Sequence, residues 1–188
     1  MIELSLSRWF GRMLSALGLA LAFAGPTVAA ELTAEQNAAI AAKIEILDTG
    51  MRTSDMSQVM GLIPPKVLEK IASTNGITAE QLIAASQEQI AEALKTIKIE
   101  SHGMDMAAAE ATTLPDGTIY VLIPTETVID MGANGKVRSK TTTVGLLDAD
   151  TWYLMAIDSG PQVAILKEVY PALAGVEFPA GSMEPVTE

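Results

Sequence analysis

The chain of 188 residues contains no cysteine and only one histidine, His102. The absence of cysteine excludes disulfides, thiolate metal sites and cysteine nucleophiles, so the fold has to be stabilised by packing alone. A single histidine excludes a typical multi-histidine zinc site. No Gly-x-Ser-x-Gly nucleophile elbow and no phosphate-binding glycine loop occur either. The sequence therefore carries no recognisable catalytic signature.

Basic residues are also scarce. Twelve lysines and arginines stand against 23 acidic residues, which gives a net charge of −11 at pH 7. An acidic surface without a basic cluster is repelled by phosphate backbones and by anionic lipid head groups. We therefore expect no binding to nucleic acid or to membrane surfaces.

The first thirty residues have the features of a secretory signal peptide, in the usual order. Arg8 and Arg12 precede the uncharged apolar run Met13–Gly25, and small residues follow it up to Ala30. The run is too short for a permanent anchor, which needs about 20 apolar residues. We predict cleavage after Ala30 and a periplasmic or secreted protein, with no membrane anchor in the mature form.

The predicted mature chain divides into a helical half and a strand-rich half. It is expected to form one domain over residues 31–175, followed by a proline-bearing tail at 176–188. Capping boxes, proline starts and glycine stops predict four helices, with Gly50 ending the first. These helices are Thr33–Asp48, a short one after Asp55, one from Pro64 to Asn75, and one beginning at Thr78.

Four strands with turn signals between them are predicted next, and then one more helix. They cover Thr96–Thr112 with a bulge at Gly103, Thr118–Met131, Lys136–Leu147 and Thr151–Asp158, before a helix at Gln162–Tyr170. Sequential strands with short turns form an antiparallel meander. The prediction is an α+β fold in which the first helices cover one side of a curved four-stranded sheet, with an extra C-terminal helix and tail.

This order of elements, with the segment Leu147-Asp-Ala-Asp-Thr-Trp152-Tyr-Leu-Met, resembles the nuclear transport factor 2-like superfamily of cystatin-like cones (SnoaL-like domains). The resemblance covers roughly Thr33 to Asp158. It implies a conical pocket between the sheet and the helices, which in this superfamily serves isomerases, cyclases and dehydratases as well as non-catalytic binding modules. It also implies homodimers that pair through the exposed face of the sheet. Such a fold does not assign a chemistry by itself.

Enzymes of this superfamily place a carboxylate inside the cone, where burial raises its pKa and suits it to act as a general base. Asp105 is the candidate here. It follows the expected bulge, so strand alternation does not decide which face of the sheet it occupies. Glu126 and Asp130 are expected to face solvent by strand alternation. No second acid or histidine is placed beside Asp105, so a solvated strand edge is the alternative interpretation.

The segment His102-Gly-Met104-Asp-Met106 suggests a second chemistry. Residues two apart on a strand share a face, so an imidazole and two thioethers would converge and suit Cu(I). Methionine also fills irregular cores, and this chain uses it freely elsewhere. The rival interpretations are a Cu(I) site and ordinary packing.

Aromatic side chains give the third set of candidates. Trp152 and Tyr153 are adjacent on one strand and should face opposite sides of the sheet, while Tyr120 lies on another. They either pack the core or line a site for an apolar ligand or a partner. We predict a non-catalytic module for a small apolar ligand or a protein partner, with no cofactor. The alternatives are an isomerase- or cyclase-like enzyme and a copper-binding protein.

Overall fold

The computed structural model describes residues 28–53 and 55–186. Within these residues it contains five α-helices and seven strands. The helices are α1 Ala34–Thr53, α2 Met56–Met60, α3 Pro65–Thr74, α4 Ala79–Ala93 and α5 Gly160–Val169. The strands are β1 Val28–Ala29, β2 Lys98–Met104, β3 Glu110–Thr113, β4 Ile119–Asp130, β5 Lys136–Asp148, β6 Thr151–Ile157 and β7 Ser182–Pro185.

The predicted fold class is confirmed. The protein is an α+β structure in which four helices precede a curled antiparallel sheet and one helix follows it. The long strands β4 and β5 form a hairpin at its centre. On the side of β4, β2 and β3 pair with different parts of that strand. On the side of β5, β6 and β7 do the same. Each end of the central hairpin therefore has its own pair of flanking strands.

Local capping signals place the helix starts correctly. Thr78 accepts a hydrogen bond from the backbone N–H of Gln81, and the Gln81 side chain accepts one from the backbone N–H of Thr78. The same reciprocal pair occurs between Thr33 and Gln36. Such bonds satisfy N–H groups that have no partner within the helix.

The prediction that Gly50 ends the first helix is wrong. Helix α1 continues to Thr53, and Gly50 is a buried residue within it. A Cβ atom there would lie 2.8 Å from Val59 Cγ2 and 3.0 Å from the carbonyl oxygen of Asp55. Glycine is needed at this position because α2 packs directly against the last turn of α1.

The first long strand is interrupted rather than continuous. A 3₁₀ turn at Met106–Ala108 separates β2 from β3. The predicted bulge at Gly103 is also wrong, because Gly103 pairs in regular register with Glu126. The register shift lies between Ile99 and Ser101 instead, so Glu100 is the extra residue. The change in side-chain direction therefore occurs before His102, and the side chains of His102 and Met104 lie on the same face of the sheet.

Helices cover both sides of the sheet, not one side as predicted. Successive residues of β4 enter different clusters of buried side chains: Tyr120 packs with Val67 of α3 and Leu166 of α5, whereas Val121 packs with Ile40 of α1. Neighbouring strand residues point to opposite faces. The chain passes between the two faces at the free edge of β6, where the Leu154 N–H donates to the Leu62 carbonyl oxygen at 2.8 Å.

The segment predicted as a tail is part of the fold. Val176 is buried in the cluster that contains Leu166, and Phe178 packs against it. Strand β7 then pairs antiparallel with β5, from Val137↔Pro185 to Lys140↔Ser182.

The predicted leader lies almost wholly outside the described residues. Its last described part is β1, which pairs with β3, and the Ala30 N–H donates to the Ala111 carbonyl oxygen at 3.0 Å. Cleavage after Ala30 would remove β1 from this edge of the sheet. The cleavage site stays a prediction.

Candidate functional site

The sheet has two halves with different chemistry. We call the end of the central hairpin that is flanked by β3 and β6 the proximal half, which contains Ile119–Ile123 of β4 and 142–148 of β5. The end flanked by β2 and β7 is the distal half, which contains 125–130 of β4 and 136–141 of β5. The proximal half carries most of the buried apolar residues of β4 and β5.

A polar cluster ties the proximal half together at its surface. Asp148, at the end of β5, accepts hydrogen bonds from Lys66 of α3 and from the Tyr170 hydroxyl, both at 2.9 Å. The hydrogen bond from Lys66 holds the pKa of Asp148 below its ordinary value. Burial, followed by the bond to Asp148, raises the pKa of Tyr170. These hydrogen bonds connect α3, β5 and the end of α5. The side chains of Lys66, Asp148 and Tyr170 are all engaged with one another.

One face of the distal half is a lattice of ion pairs. Arg138 lies 3.1 Å from Glu126 and Lys140 lies 2.9 Å from Glu184. Glu100 is paired with Lys98 of its own strand and with Lys136 of β5. Glu126 is exposed, as strand alternation predicts. Arg138 and Lys140 share this face, but both are bound to carboxylates, so they form a charged outer surface rather than an anion site.

The other face of the distal half borders a cavity of about 530 Å³. It opens where the last turn of α1, the end of α4 and β2 meet. Apolar side chains from all three elements contribute to its wall, together with two acids, two bases, a serine and the only histidine. The lining residues are Asp48, Met51, Arg52, Leu94, Ile97, Lys98, Ile99, Glu100, Ser101 and His102.

His102 is the most unusual group in this wall. Its Nδ1 lies 2.9 Å from Thr127 Oγ1 on the neighbouring strand. Its Nε2 is buried and has no hydrogen-bond partner. Burial lowers the pKa of His102, against a smaller opposing effect from the negative charge of Asp48. At neutral pH the imidazole is therefore uncharged. A buried polar atom without a partner is costly, so His102 carries an unsatisfied hydrogen-bonding atom next to the cavity.

The aromatic candidates from the sequence lie elsewhere. Tyr120 and Trp152 are 6% and 4% exposed and belong to the two core clusters on opposite faces. Tyr153 is half-buried on the face that Tyr120 occupies, close enough to Tyr170 to affect its pKa. The predicted opposite facing of Trp152 and Tyr153 is confirmed by the strand register. None of the three lines the cavity at His102.

Asp105 is exposed and serves as a helix cap. Its Oδ1 accepts hydrogen bonds from the backbone N–H groups of Ala107 and Ala108, at 3.0 and 3.1 Å. It borders a separate, more open depression of about 580 Å³ that Met104, Glu126 and Lys140 also line. The aspartate that precedes a short alanine run is the capping signal that sequence reasoning missed.

The two methionines proposed as copper ligands are partly buried and pack against the core. Met104 and Met106 both contact the cluster that contains Ile40, which is the packing role described above as the alternative to copper binding. Within residues 28–53 and 55–186, no group of three or more histidine, aspartate or glutamate side chains is arranged to hold a metal ion. Met51 lines the same cavity as His102, and no motif in the sequence joins these two residues.

Comparisons with protein-family models, with curated protein sequences and with solved structures give no match to this chain. In the part of the chain that the structure describes, no helix has the length and apolar character needed to cross a membrane. The cavity and its chemistry are therefore the basis on which a function is argued.

Proposed function

We propose that this protein is an exported, non-catalytic binding module that holds a small, largely apolar molecule in the cavity between α1, α4 and β2. The observation that carries the proposal is a cavity of about 530 Å³ whose wall combines apolar side chains with His102, a histidine whose Nε2 is buried and has no partner. Cavities that bind small molecules typically measure about 300–1,000 Å³ and combine apolar walls with a few polar groups.

The charges around the cavity favour an uncharged ligand. Asp48 and Glu100 balance Arg52 and Lys98, and Lys98 already contacts Glu100 at 3.0 Å. The imidazole is neutral at physiological pH because burial lowers its pKa. A molecule with an apolar body and one hydrogen-bonding group, such as an alcohol, an amide or a ketone, fits this arrangement best.

A binding role is supported over an isomerase- or cyclase-like role by the position of the candidate base. Asp105 is exposed and its carboxylate is engaged by two backbone N–H groups of the following turn. General acid–base catalysis needs a base within hydrogen-bonding reach of a substrate proton, with a tuned pKa. Membership of the nuclear transport factor 2-like superfamily is part of this proposal, and the order of helices and strands supports it.

The test is a titration with Nile red, a neutral apolar dye whose fluorescence rises in apolar surroundings. We expect saturable binding to the protein and at least a tenfold loss of affinity in Ile97→Trp, which fills the cavity. Ala84→Trp, on the exposed surface of α4, is the matched control and should bind like the parent protein. Equal binding to all three proteins would place the dye elsewhere and contradict the proposal.

A further inference from the structure

The C-terminal strand β7 lies on the open edge of β5 in the distal half. Four residues pair in antiparallel register, from Lys140↔Ser182 to Val137↔Pro185. The Val186 N–H then donates to the Lys136 carbonyl oxygen at 2.9 Å. This edge of β5 therefore accepts an extended segment through backbone hydrogen bonds, which is how sheets recruit added strands.

Charge, rather than burial, selects the segment that occupies the edge. All four residues of β7 are exposed, and Met183 retains 65% of its accessible surface. Glu184 contacts Lys140 at 2.9 Å and Arg138 at 3.9 Å. The edge therefore favours an extended strand with a central acidic residue. None of the side chains of that strand is buried in the core.

The attachment of β7 to the rest of the molecule is upstream of the strand. Val176 is buried and Phe178 packs against the same core cluster. Only Pro179, Ala180 and Gly181 connect this anchor to Ser182. The strand can therefore leave the edge without disturbing the core, because its own residues contribute little to the buried surface.

We propose that two copies of this chain exchange β7, so that the C-terminal strand of each copy docks on the β5 edge of the other. The second copy carries the same acidic strand, and every backbone and ion-pair contact seen within one chain can be remade between two. Exchange of an identical element is a common route to dimers. This inference is independent of the cavity and of the proposed ligand.

Protein concentration determines the balance between the monomer and the exchanged dimer. A strand tethered by a short linker has an effective concentration on the order of millimolar at its own edge. Monomers with β7 docked in their own chain should dominate at micromolar concentration, and exchanged dimers should increase as the protein is concentrated.

The absence of cysteine makes a direct test simple. Ser139 and Met183 are opposite each other in the pairing of β5 with β7. A Ser139→Cys variant and a Met183→Cys variant are mixed in equal amounts, oxidised mildly, and examined by non-reducing electrophoresis and intact mass. Exchange predicts a disulfide-linked heterodimer whose yield rises with protein concentration. In the double variant at low concentration, the same pair should close within one chain.

Two controls make the outcome decisive. Met183→Cys mixed with Ala84→Cys measures random collision, since Ala84 is exposed on α4. A heterodimer yield from Ser139→Cys no higher than this background would overturn the proposal. Met183→Cys alone reports direct contact between two β7 strands. If this homodimer forms and the heterodimer does not, the copies pair edge to edge and the exchange is contradicted.

Charge reversal supplies a second, independent readout. Lys140→Glu in the Ser139→Cys copy repels its own Glu184, whereas a Met183→Cys copy with Glu184→Lys carries the complementary strand. This mixture should give severalfold more heterodimer than the mixture without charge reversal. Equal yields from both mixtures would show that the ion pair at Lys140 does not select the strand, and would overturn the recognition proposed here.

Discussion

The proximal and distal halves of the same β4–β5 hairpin differ in what surrounds them. In the proximal half, Ile123 and Leu146 are completely or almost completely buried, each under helices on its own face. In the distal half, Ile129 and Val137 pair directly across the strands, but both stay partly exposed. The same two strands therefore form a packed core at one end and an accessible surface at the other.

The proximal half therefore supplies most of the stability of the sheet, and the distal half carries the features proposed for binding. Burial of apolar surface is the main source of stabilisation, and the proximal half contains most of it in the sheet. The distal half contains the cavity at His102, the ion-pair lattice and the edge that β7 covers. Regions with few buried contacts are the ones that open and bind partners most readily.

The comparison is tested most strongly by matched truncations in one strand. Ile123→Ala in the proximal half should lower the free energy of unfolding by about 2–5 kcal/mol, because it leaves a cavity in a packed core. Ile129→Ala in the distal half should cost no more than about 1.5 kcal/mol, since the residue is only half-buried. Urea denaturation of both variants measures the difference. Equal losses would show that the two halves contribute alike.

The junction of α1 and α2 should tolerate no added side chain. Gly50→Ala brings a methyl group to within 3.0 Å of the Asp55 carbonyl oxygen, and the backbone of α2 has to shift. We expect a net loss of about 1–3 kcal/mol in unfolding free energy, although alanine favours helix more than glycine does. Gly160→Ala is the control, because nothing lies within 4 Å of its added Cβ. A neutral Gly50→Ala variant would contradict the close packing described here.

The cavity should make stability depend on pH through His102. Burial lowers the pKa of this residue, so the unfolded chain takes up a proton near the ordinary pKa of 6.5 while the folded chain does not. Above that value the imidazole is neutral in both states and has no effect. As the pH falls below it, proton uptake by the unfolded chain destabilises the fold.

Comparison of the parent protein with His102→Gln isolates this effect. The parent should lose more stability than the variant between pH 7.5 and pH 5.5, as measured by thermal unfolding at each pH. A parallel loss in both proteins would assign the pH dependence to other groups.

The smallest effect is expected from the ion-pair lattice. Glu126→Gln removes the carboxylate that contacts Arg138 at 3.1 Å, on a side chain that is 49% exposed. Exposed pairs contribute less than about 1 kcal/mol and are screened by salt. The difference in unfolding free energy should therefore be small at low salt and vanish at high salt. A large loss that persists in high salt would show that this face also has a structural role.

Features set by neighbours in sequence could be predicted, and features set by distant contacts could not. The capping boxes of Thr33 with Gln36 and of Thr78 with Gln81 depend on a few adjacent residues. Gly50 resembles a helix stop when only its neighbours in sequence are considered. Glycine is needed there because Val59 and Asp55 approach closely, and this contact exists only after α2 has folded back onto α1.

The cavity wall could not be predicted from the sequence for the same reason. His102 is singled out in the sequence as part of the segment His102-Gly-Met104-Asp-Met106, but Asp48, Met51 and Arg52 of the same cavity wall belong to α1, about fifty residues earlier. The bulge at Glu100 decides which face His102 occupies, and no glycine or proline marks it. Strand β7 carries a proline and pairs with residues more than forty positions earlier, so its sequence alone predicts a tail.

The central claim is that the distal cavity holds a small molecule, and native mass spectrometry of protein purified from its native source tests it most directly. The account predicts a retained small-molecule mass on the parent protein and on Ala84→Trp, and its loss from Ile97→Trp. A bare polypeptide mass for the parent would contradict a ligand role and favour a protein partner. A ligand that stays bound to Ile97→Trp would contradict the assignment to this cavity.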